Sequence, residues 1–249
     1  DFDCLVIQHA EDHELSKDGM INDGIISTKL GIPGISDLAE KIIIERDLSL
    51  LEEKNCRYHI SQISSKKSLE LINYKKNIVN FTTGVSINNL SLNENDIGDF
   101  RTFLKLSPPL RTEDDRISLI EGINKNLIDV IVSDHKPEDE ESKRLTFSQA
   151  ATGASGIETF LSLALEQFHN GSIKLEKIVE VITNNPAKIL KINKGNLSVG
   201  SDADFCIVDI YKPWVVKKEN LVSKSKNTSI EGRKLQGKVI STFVNGKEL

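Results

Sequence analysis

Apolar residues recur along this chain with two different periods, and the two kinds of segment alternate. Short runs rich in β-branched residues favour strands, whereas apolar residues spaced three or four positions apart favour helices. Strands are predicted at residues 4–9, 57–64, 77–86 and 127–135. Helices are predicted at residues 37–53, 64–76, 113–126, 155–169, 175–183 and 186–190. Strand–helix units in series predict a parallel sheet in an α/β fold.

Two of these helices are predicted to begin with a capping box, in which two side chains three residues apart bond each other's backbone N–H. Asp37 with Glu40 has this spacing, and so does Ser155 with Glu158. Pro186 is placed as a helix-starting residue. After Gly195 the pattern changes to strands separated by turns, with no amphipathic helix between them.

Composition narrows the function classes. The 249 residues are 38% hydrophobic, enough for a sizeable core, and the net charge of -5 with a pI near 5.7 gives no footprint for nucleic acid. The three cysteines are far apart and form no CxxC, which favours a reduced cytoplasm. No apolar run approaches membrane-spanning length, and the start lacks a signal-peptide pattern.

Polar residues occupy the carboxyl ends of the predicted strands. His9, Gln62, Ser86 and Asp134 stand at these ends, where a (β/α) barrel places its functional groups. Asp134 follows an apolar run and precedes His135, and a carboxylate beside an imidazole suits a metal or proton-transfer site. The alternative for any single member of this set is a turn residue that caps a loop.

A series of short motifs runs in the same order as in the dihydroorotases, the cyclic amidohydrolases of pyrimidine synthesis. The first, His-Ala-Glu-Asp at 9–12, resembles the His-x-Glu-Asp strand end of that family. The others are Gly-Ile-Pro-Gly at 31–34, Ala-Glu at 39–40, Arg-Asp at 46–47, Tyr-His-Ile-Ser-Gln-Ile-Ser at 58–64, Ser-Pro-Pro-Leu-Arg at 107–111, Asp-Val-Ile-Val-Ser-Asp-His at 129–135, Gly-Ala-Ser-Gly-Ile-Glu-Thr at 153–159, Asn-Pro-Ala at 185–187, Gly-Ser-Asp-Ala-Asp at 200–204 and Ser-Lys-Ser-Lys-Asn-Thr at 223–228. On this resemblance the chain is identified as a member of the dihydroorotases.

The resemblance implies a distorted, TIM-like (β/α) barrel of the metal-dependent hydrolases, beside a small β-sandwich. Residues 1–190 are then expected to form a portion of the barrel, and residues 191–249 the C-terminal strands of the sandwich. It also implies one or two zinc ions and the reversible hydrolysis of dihydroorotate to carbamoyl aspartate. A zinc ion lowers the pKa of its bound water to about 7 and polarises a carbonyl group.

The family's residue roles transfer to matching positions. Asp134 matches the aspartate that binds zinc and carries the proton to the leaving nitrogen, and His9 matches a zinc-ligand histidine. His135, Ala151 and Gly153 match positions that contact substrate, with Ala151 in place of a proline. Ser107 is also a substrate-binding candidate, in place of the family's asparagine.

Other positions depart from the family. Gln62 stands where the second histidine of a His-x-x-His motif binds zinc, while the first histidine remains as His59. Asn88-Asn89 replace a common His-His pair, and Glu138 replaces a histidine. A glutamine amide is a neutral, weak oxygen donor, poorly suited to zinc. We therefore expect weak zinc binding.

The family's His-x-His motif and its carboxylate-binding arginine precede the motif at 9–12. The sequence is therefore expected to hold the C-terminal half of an eight-stranded barrel, with the N-terminal half missing from it. Half a barrel would leave an edge of unpaired backbone groups, which favours a longer protein.

Three hypotheses follow. The first is a working dihydroorotase with a small-molecule substrate, and a homo-oligomer is expected. The second is a non-catalytic homologue that assembles with aspartate carbamoyltransferase. The third is a related cyclic amidohydrolase, such as an allantoinase or a hydantoinase, against which the Pro-Pro-Leu-Arg segment argues.

Overall fold

The computed structural model describes residues 3–54 and 56–249. In chain order its strands are Leu5–Gln8 (β1), Ile21–Asn22 (β2), Gly34–Ile35 (β3), Arg57–Ile63 (β4), Thr82–Ser86 (β5), Val130–Val132 (β6), Phe205–Val215 (β7), Lys234–Val244 (β8) and Lys247–Glu248 (β9). Its α-helices are His13–Ser16 (α1), Ile25–Leu30 (α2), Leu38–Glu53 (α3), Lys66–Lys75 (α4), Ile87–Ser91 (α5), Glu113–Asn124 (α6), Glu140–Arg144 (α7), Phe160–His169 (α8), Leu175–Val179 (α9) and Asn185–Leu190 (α10). A π-helical turn, Glu180–Asn184, joins α9 to α10.

The main sheet confirms the predicted α/β fold. Its strands lie in the order β1-β4-β5-β6, and all of its pairings are parallel. Helices α3, α4 and α6 occupy the connections between successive strands, and α3 packs on α4, which packs on α6. Ile60, Ile63 and Val85 on the central strands are fully buried. The carboxyl ends of all four strands consequently lie along one edge.

All four strands of the main sheet are shorter than predicted, and β5 and β6 differ most. Strand β5 begins at Thr82 rather than at residue 77, because the N–H groups of Ile78 and Val79 donate to the carbonyl of Lys75 and continue the end of α4. Strand β6 ends at Val132, and Asp134 has a φ of +49° that breaks the extended backbone.

Both predicted capping boxes are wrong. Asp37 makes no side-chain cap bond at the start of α3, and Glu40 accepts hydrogen bonds from Ser64 and Ser65 instead. The last long helix of the barrel portion, α8, begins at Phe160 rather than near Ser155. Glu40, which the local spacing assigned to a helix cap, therefore bonds to serines that are distant along the chain.

The second box fails in the same way. The hydroxyl of Ser155 donates to the carbonyl of Ser225 at 3.3 Å. The carboxylate of Glu158 accepts from the backbone N–H groups of Val222 and Ser223 at 2.8 and 2.9 Å. These contacts fasten the C-terminal region to the loop before α8.

The C-terminal strands form the predicted separate sheet. Strands β7 and β8 pair antiparallel, and β9 pairs with β8. Ser162 of α8 donates to the carbonyl of Gly237 at 2.6 Å and lies 3.1 Å from the indole nitrogen of Trp214. A Cβ at Gly237, where φ is +99°, would lie 2.4 Å from Leu165, so this sheet needs glycine to reach α8.

Cys4, Cys56 and Cys206 are free and exposed. Within residues 3–54 and 56–249, no helix is both long enough and apolar enough to cross a membrane.

Candidate active site

Four polar side chains meet at the carboxyl ends of β4, β5 and β6, and we call them the Asp134 cluster: Asp134, Gln62, Ser86 and Asn88. Nε2 of Gln62 donates to Oδ1 of Asp134 at 3.1 Å. The hydroxyl of Ser86 donates to Oδ2 at 3.1 Å, and Nδ2 of Asn88 reaches the same oxygen at 3.5 Å. A carboxylate has about four lone-pair sites, so Asp134 keeps the capacity to accept a proton.

The donors of this cluster are themselves held in place. Ser86 caps α5 by accepting from the backbone N–H of Asn88 at 3.2 Å. Oδ1 of Asn88 accepts from the hydroxyl of Ser229 at 2.9 Å, and both residues are buried. Because that oxygen is occupied, the amide nitrogen of Asn88 faces Asp134. A residue from the C-terminal region thus helps to orient a donor to the aspartate.

A second group lies at the end of β1, and we call it the His9 cluster: His9, Glu11 and Ser107. Nε2 of His9 is 3.2 Å from Oε2 of Glu11 and 3.2 Å from the hydroxyl of Ser107. The hydrogen bond to Glu11 raises the pKa of His9, and the same bond lowers the pKa of Glu11 to about 2. The His9–Glu11 contact therefore favours the charged forms of both side chains, and the side chain of His9 is exposed to solvent.

The structure brings the predicted site residues together in part. Gln62 and Asp134 are in direct contact. Among the described residues no hydrogen bond joins His9 to Asp134, although the negative charge of Asp134 contributes to the raised pKa of His9. The two clusters are neighbours along one edge of the sheet, and each has its own set of bonds.

The donor set of the described residues does not fit a zinc ion. Residues 3–54 and 56–249 contain no group of three or more His, Cys, Asp or Glu side chains that could hold a metal. The amide of Gln62 presents its N–H to Asp134, and an amide N–H is not a metal ligand. The two predicted ligands, His9 and Asp134, belong to different clusters.

His135 accepts hydrogen bonds at Nδ1 from the backbone N–H groups of Gly156 and Ile157, at 3.2 and 3.3 Å. A neutral imidazole has one N–H and one acceptor nitrogen, so the proton of His135 lies on Nε2. His135 is half-buried. Its ring is therefore held against the loop before α8, and its Nε2–H is left as a hydrogen-bond donor.

Ala151 and Gly153 lie in a loop that packs against the segment after Asp134. Ala151 donates its N–H to the carbonyl of Ser142 at 3.2 Å. Gly153 has a φ of +143°, and a Cβ there would lie 2.6 Å from the carbonyl oxygen of Lys136. Only glycine lets this loop approach the segment that follows Asp134 so closely.

His59 and Asn89 are structural in this fold. His59 is buried, its Nδ1 lies 2.8 Å from the hydroxyl of Thr82, and burial lowers its pKa. Asn89 is buried and donates to the carbonyl of Pro109. Glu138 is held through its backbone, which donates to Asn227 and accepts from Ser225.

Three residues near the site are absent from the sequence-based candidates: Lys105, Lys143 and Asn227. Asn227 is buried, accepts from the backbone of Glu138 and donates to the carbonyl of Gly153. Asn227 lies within the motif at 223–228, so the family resemblance could have pointed to it. Nothing in the sequence around the two lysines distinguishes them from solvated lysines.

Comparison with known proteins identifies the family of this chain. The amidohydrolase family model matches residues 1–249. A dihydroorotase of Ehrlichia canis is 42% identical over 98% of this chain and 55% of its own length. A dihydroorotase of Syntrophus aciditrophicus is 41% identical over 98% of this chain and 58% of its own length.

The fold agrees with solved structures. The L-hydantoinase (dihydropyrimidinase) of Arthrobacter aurescens superimposes with a TM-score of 0.85 at 27% identity, over 99% of this chain and 57% of that one. The chain thus spans little more than half the length of the relatives that it matches. With the parallel sheet, the polar strand ends and the ordered motifs, these matches show that the chain belongs to the amidohydrolase family.

Proposed function

We propose that the protein containing this chain is a dihydroorotase-type cyclic amidohydrolase, which opens dihydroorotate to carbamoyl aspartate. One observation carries the proposal: the carboxylate of Asp134 stands at the end of β6, oriented by three uncharged donors and followed by His135. The names of the relatives at 40–42% identity support the same substrate.

In this proposal Asp134 moves the proton. Hydrolysis adds the oxygen of water to the ring carbonyl, breaks the C–N bond and leaves a proton on the released nitrogen. A carboxylate within reach of both atoms can take that proton from water and return it to nitrogen. His135, Ser107, Ala151 and Gly153 are the substrate-binding residues, and Nε2–H of His135 is a donor suited to a carbonyl or carboxylate oxygen.

A second candidate rests on Gln62. Its amide donates to Asp134 at the position where the resemblance implies a metal-binding imidazole, which favours a homologue with little or no turnover. Such a protein would act by assembly, with aspartate carbamoyltransferase as its predicted partner. The homo-oligomer, the cytoplasmic location and the division at residue 190 are likewise proposals.

A comparison of cyclic amides tests the main proposal. The full-length protein is supplied with dihydroorotate, hydantoin and dihydrouracil at equal concentrations, and ring opening is followed for each. We expect hydrolysis of dihydroorotate above the other two. Preferential hydrolysis of hydantoin or dihydrouracil would assign the protein to the hydantoinase branch, and no hydrolysis of any ring would favour the assembly role.

A further inference from the structure

Two lysines lie buried beside the candidate site without a carboxylate partner among the described residues. Lys143 is 2% exposed and Lys105 is 9% exposed. Burial lowers the pKa of both side chains, and that of Lys143 falls to about 8. A buried ammonium that has no counter-charge costs free energy unless hydrogen bonds compensate it, so the bonds that hold these two define their role.

Both ammonium groups donate to the backbone of one loop, residues 147–153. Nζ of Lys143 donates to the carbonyl of Ala151 at 2.7 Å and of Gly153 at 2.9 Å. Nζ of Lys105 donates to the carbonyls of Phe147 and Ser148, at 3.0 Å each. Hydrogen bonds from a charged donor are stronger than those between neutral groups, so the loop is tied down at both of its ends.

The same loop is bonded to the two segments that carry the candidate site. The N–H of Gly153 donates to the carbonyl of Lys105 at 2.9 Å, two residues before Ser107 of the His9 cluster. The N–H of Lys136 donates to the carbonyl of Ala154 at 2.9 Å, two residues after Asp134. The loop and Ala154, which follows it, are therefore bonded to the segments that carry Ser107 and Asp134.

We propose that Lys143 and Lys105 are positioning residues that fix the 147–153 loop against the strand-end site. Through this loop they set the places of Ala151 and Gly153, the predicted substrate-binding residues. The part of this inference that concerns substrate rests on the proposed function. The part that concerns the loop does not, because it depends only on the four hydrogen bonds.

Lys143→Met and Lys105→Met, made in the full-length protein, test both parts. Hydrogen exchange at the N–H groups of Ala151 and Gly153 reports on the loop. Loss of a charged hydrogen bond should speed exchange there about tenfold, with exchange in β4 and β5 unchanged. Lys125→Met is the matched control, since Lys125, at the C-cap of α6, is exposed and pairs with Glu121.

The kinetic arm uses the same variants with dihydroorotate. A loop displaced by about 1 Å can cost about 100-fold in rate, so we expect kcat/KM to fall by up to that factor, with most of the change in KM. Lys143→Arg keeps the charge and should lie closer to the wild type than Lys143→Met does.

Loop exchange and kinetics in both methionine variants equal to those of the wild type would overturn the inference. If Lys143→Met does not fold, Lys105→Met still tests the inference, because it removes the hydrogen bonds at the other end of the loop. Absence of dihydroorotate turnover in the wild-type protein would refute the proposed function alone. The exchange comparison would then still test the loop.

Discussion

Two carboxylates near the strand ends, Glu40 and Asp134, are held in opposite ways. Glu40 is 3% exposed and accepts from both the backbone N–H and the hydroxyl of Ser64 and of Ser65. Asp134 is half-buried, and within the described part of the chain it accepts only from side chains. A carboxylate whose lone pairs all face backbone and buried hydroxyls fixes structure, whereas one with spare capacity at an accessible edge is available for chemistry.

Arg111 strengthens this contrast. Its guanidinium is buried and donates to the hydroxyl of Ser64 and to the side chain of Asn22. Glu40, Ser64, Ser65 and Arg111 therefore form a closed polar network, which we call the Glu40 network. The structure predicts that substitutions in the Glu40 network lower stability and that substitutions in the Asp134 cluster lower activity.

The largest expected effect is on activity, at Asp134. Asp134→Asn keeps the shape of the side chain and removes the group that accepts a proton, a contribution of about 10²–10⁴-fold. Dihydroorotate hydrolysis should fall by that factor while the thermal melt changes little. Asp114→Asn, at an exposed acid on α6, is the control, and a similar loss of activity there would break the assignment to Asp134.

The next largest effect is on stability, at Glu40. Glu40→Ala leaves several buried donors without an acceptor, and we expect a loss of about 3 kcal/mol in the free energy of unfolding. Urea denaturation measures this loss. Glu45→Ala makes the same change at an exposed position of α3 and should cost far less. Equal losses in the free energy of unfolding for the two variants would show that the bonds of the Glu40 network do not stabilise the fold.

A third prediction concerns pH and Lys143. Its pKa is about 8 in the folded protein against an ordinary value of 10.5. Between these two values the unfolded chain binds a proton that the folded chain does not, so this lysine makes the free energy of unfolding rise with pH. The free energy of unfolding should rise by at most about 1.4 kcal/mol per pH unit because of Lys143. Below pH 8 the contribution of Lys143 to this free energy is constant.

Urea denaturation from pH 7 to pH 10.5 measures this dependence, with Lys143→Met as the reference that lacks the titrating group. The difference in stability, wild type minus variant, should rise between pH 8 and pH 10.5. A difference that stays flat or falls would mean that Lys143 is not desolvated in the folded protein.

The smallest effect is expected at Ser155. Because Ser155 does not cap α8 and its hydroxyl bonds are long, 3.3 and 3.4 Å, Ser155→Ala should cost under about 1 kcal/mol. Glu158→Ala removes two shorter bonds to the C-terminal region and should cost more. A thermal melt in which Ser155→Ala is less stable than Glu158→Ala would show that Ser155 contributes more to stability than Glu158, contrary to this prediction.

The sequence was informative where local pattern and chain order decide structure. The β-branched runs predicted the four parallel strands, and this arrangement puts their polar ends along one edge, where Gln62 contacts Asp134. Local spacing failed at Glu40 and Glu158, because their partners lie 24 and 64 residues away along the chain. The role of Lys143 could not be predicted either, since a lysine in a charged run looks the same whether its ammonium is solvated or bonded to buried carbonyls.

We infer that Gln62 bonds to Asp134 where the resemblance implies a metal-binding imidazole, and that this weakens zinc binding. Elemental analysis of the purified full-length protein and of Gln62→His, after equal dialysis, tests it most directly. Disturbing even an indirect partner of a metal typically lowers metal affinity or activity by about 10–100-fold, so we predict zinc well below one ion per chain in the wild type and clearly more in Gln62→His. Stoichiometric zinc in the wild type, equal to that in Gln62→His, would contradict the claim.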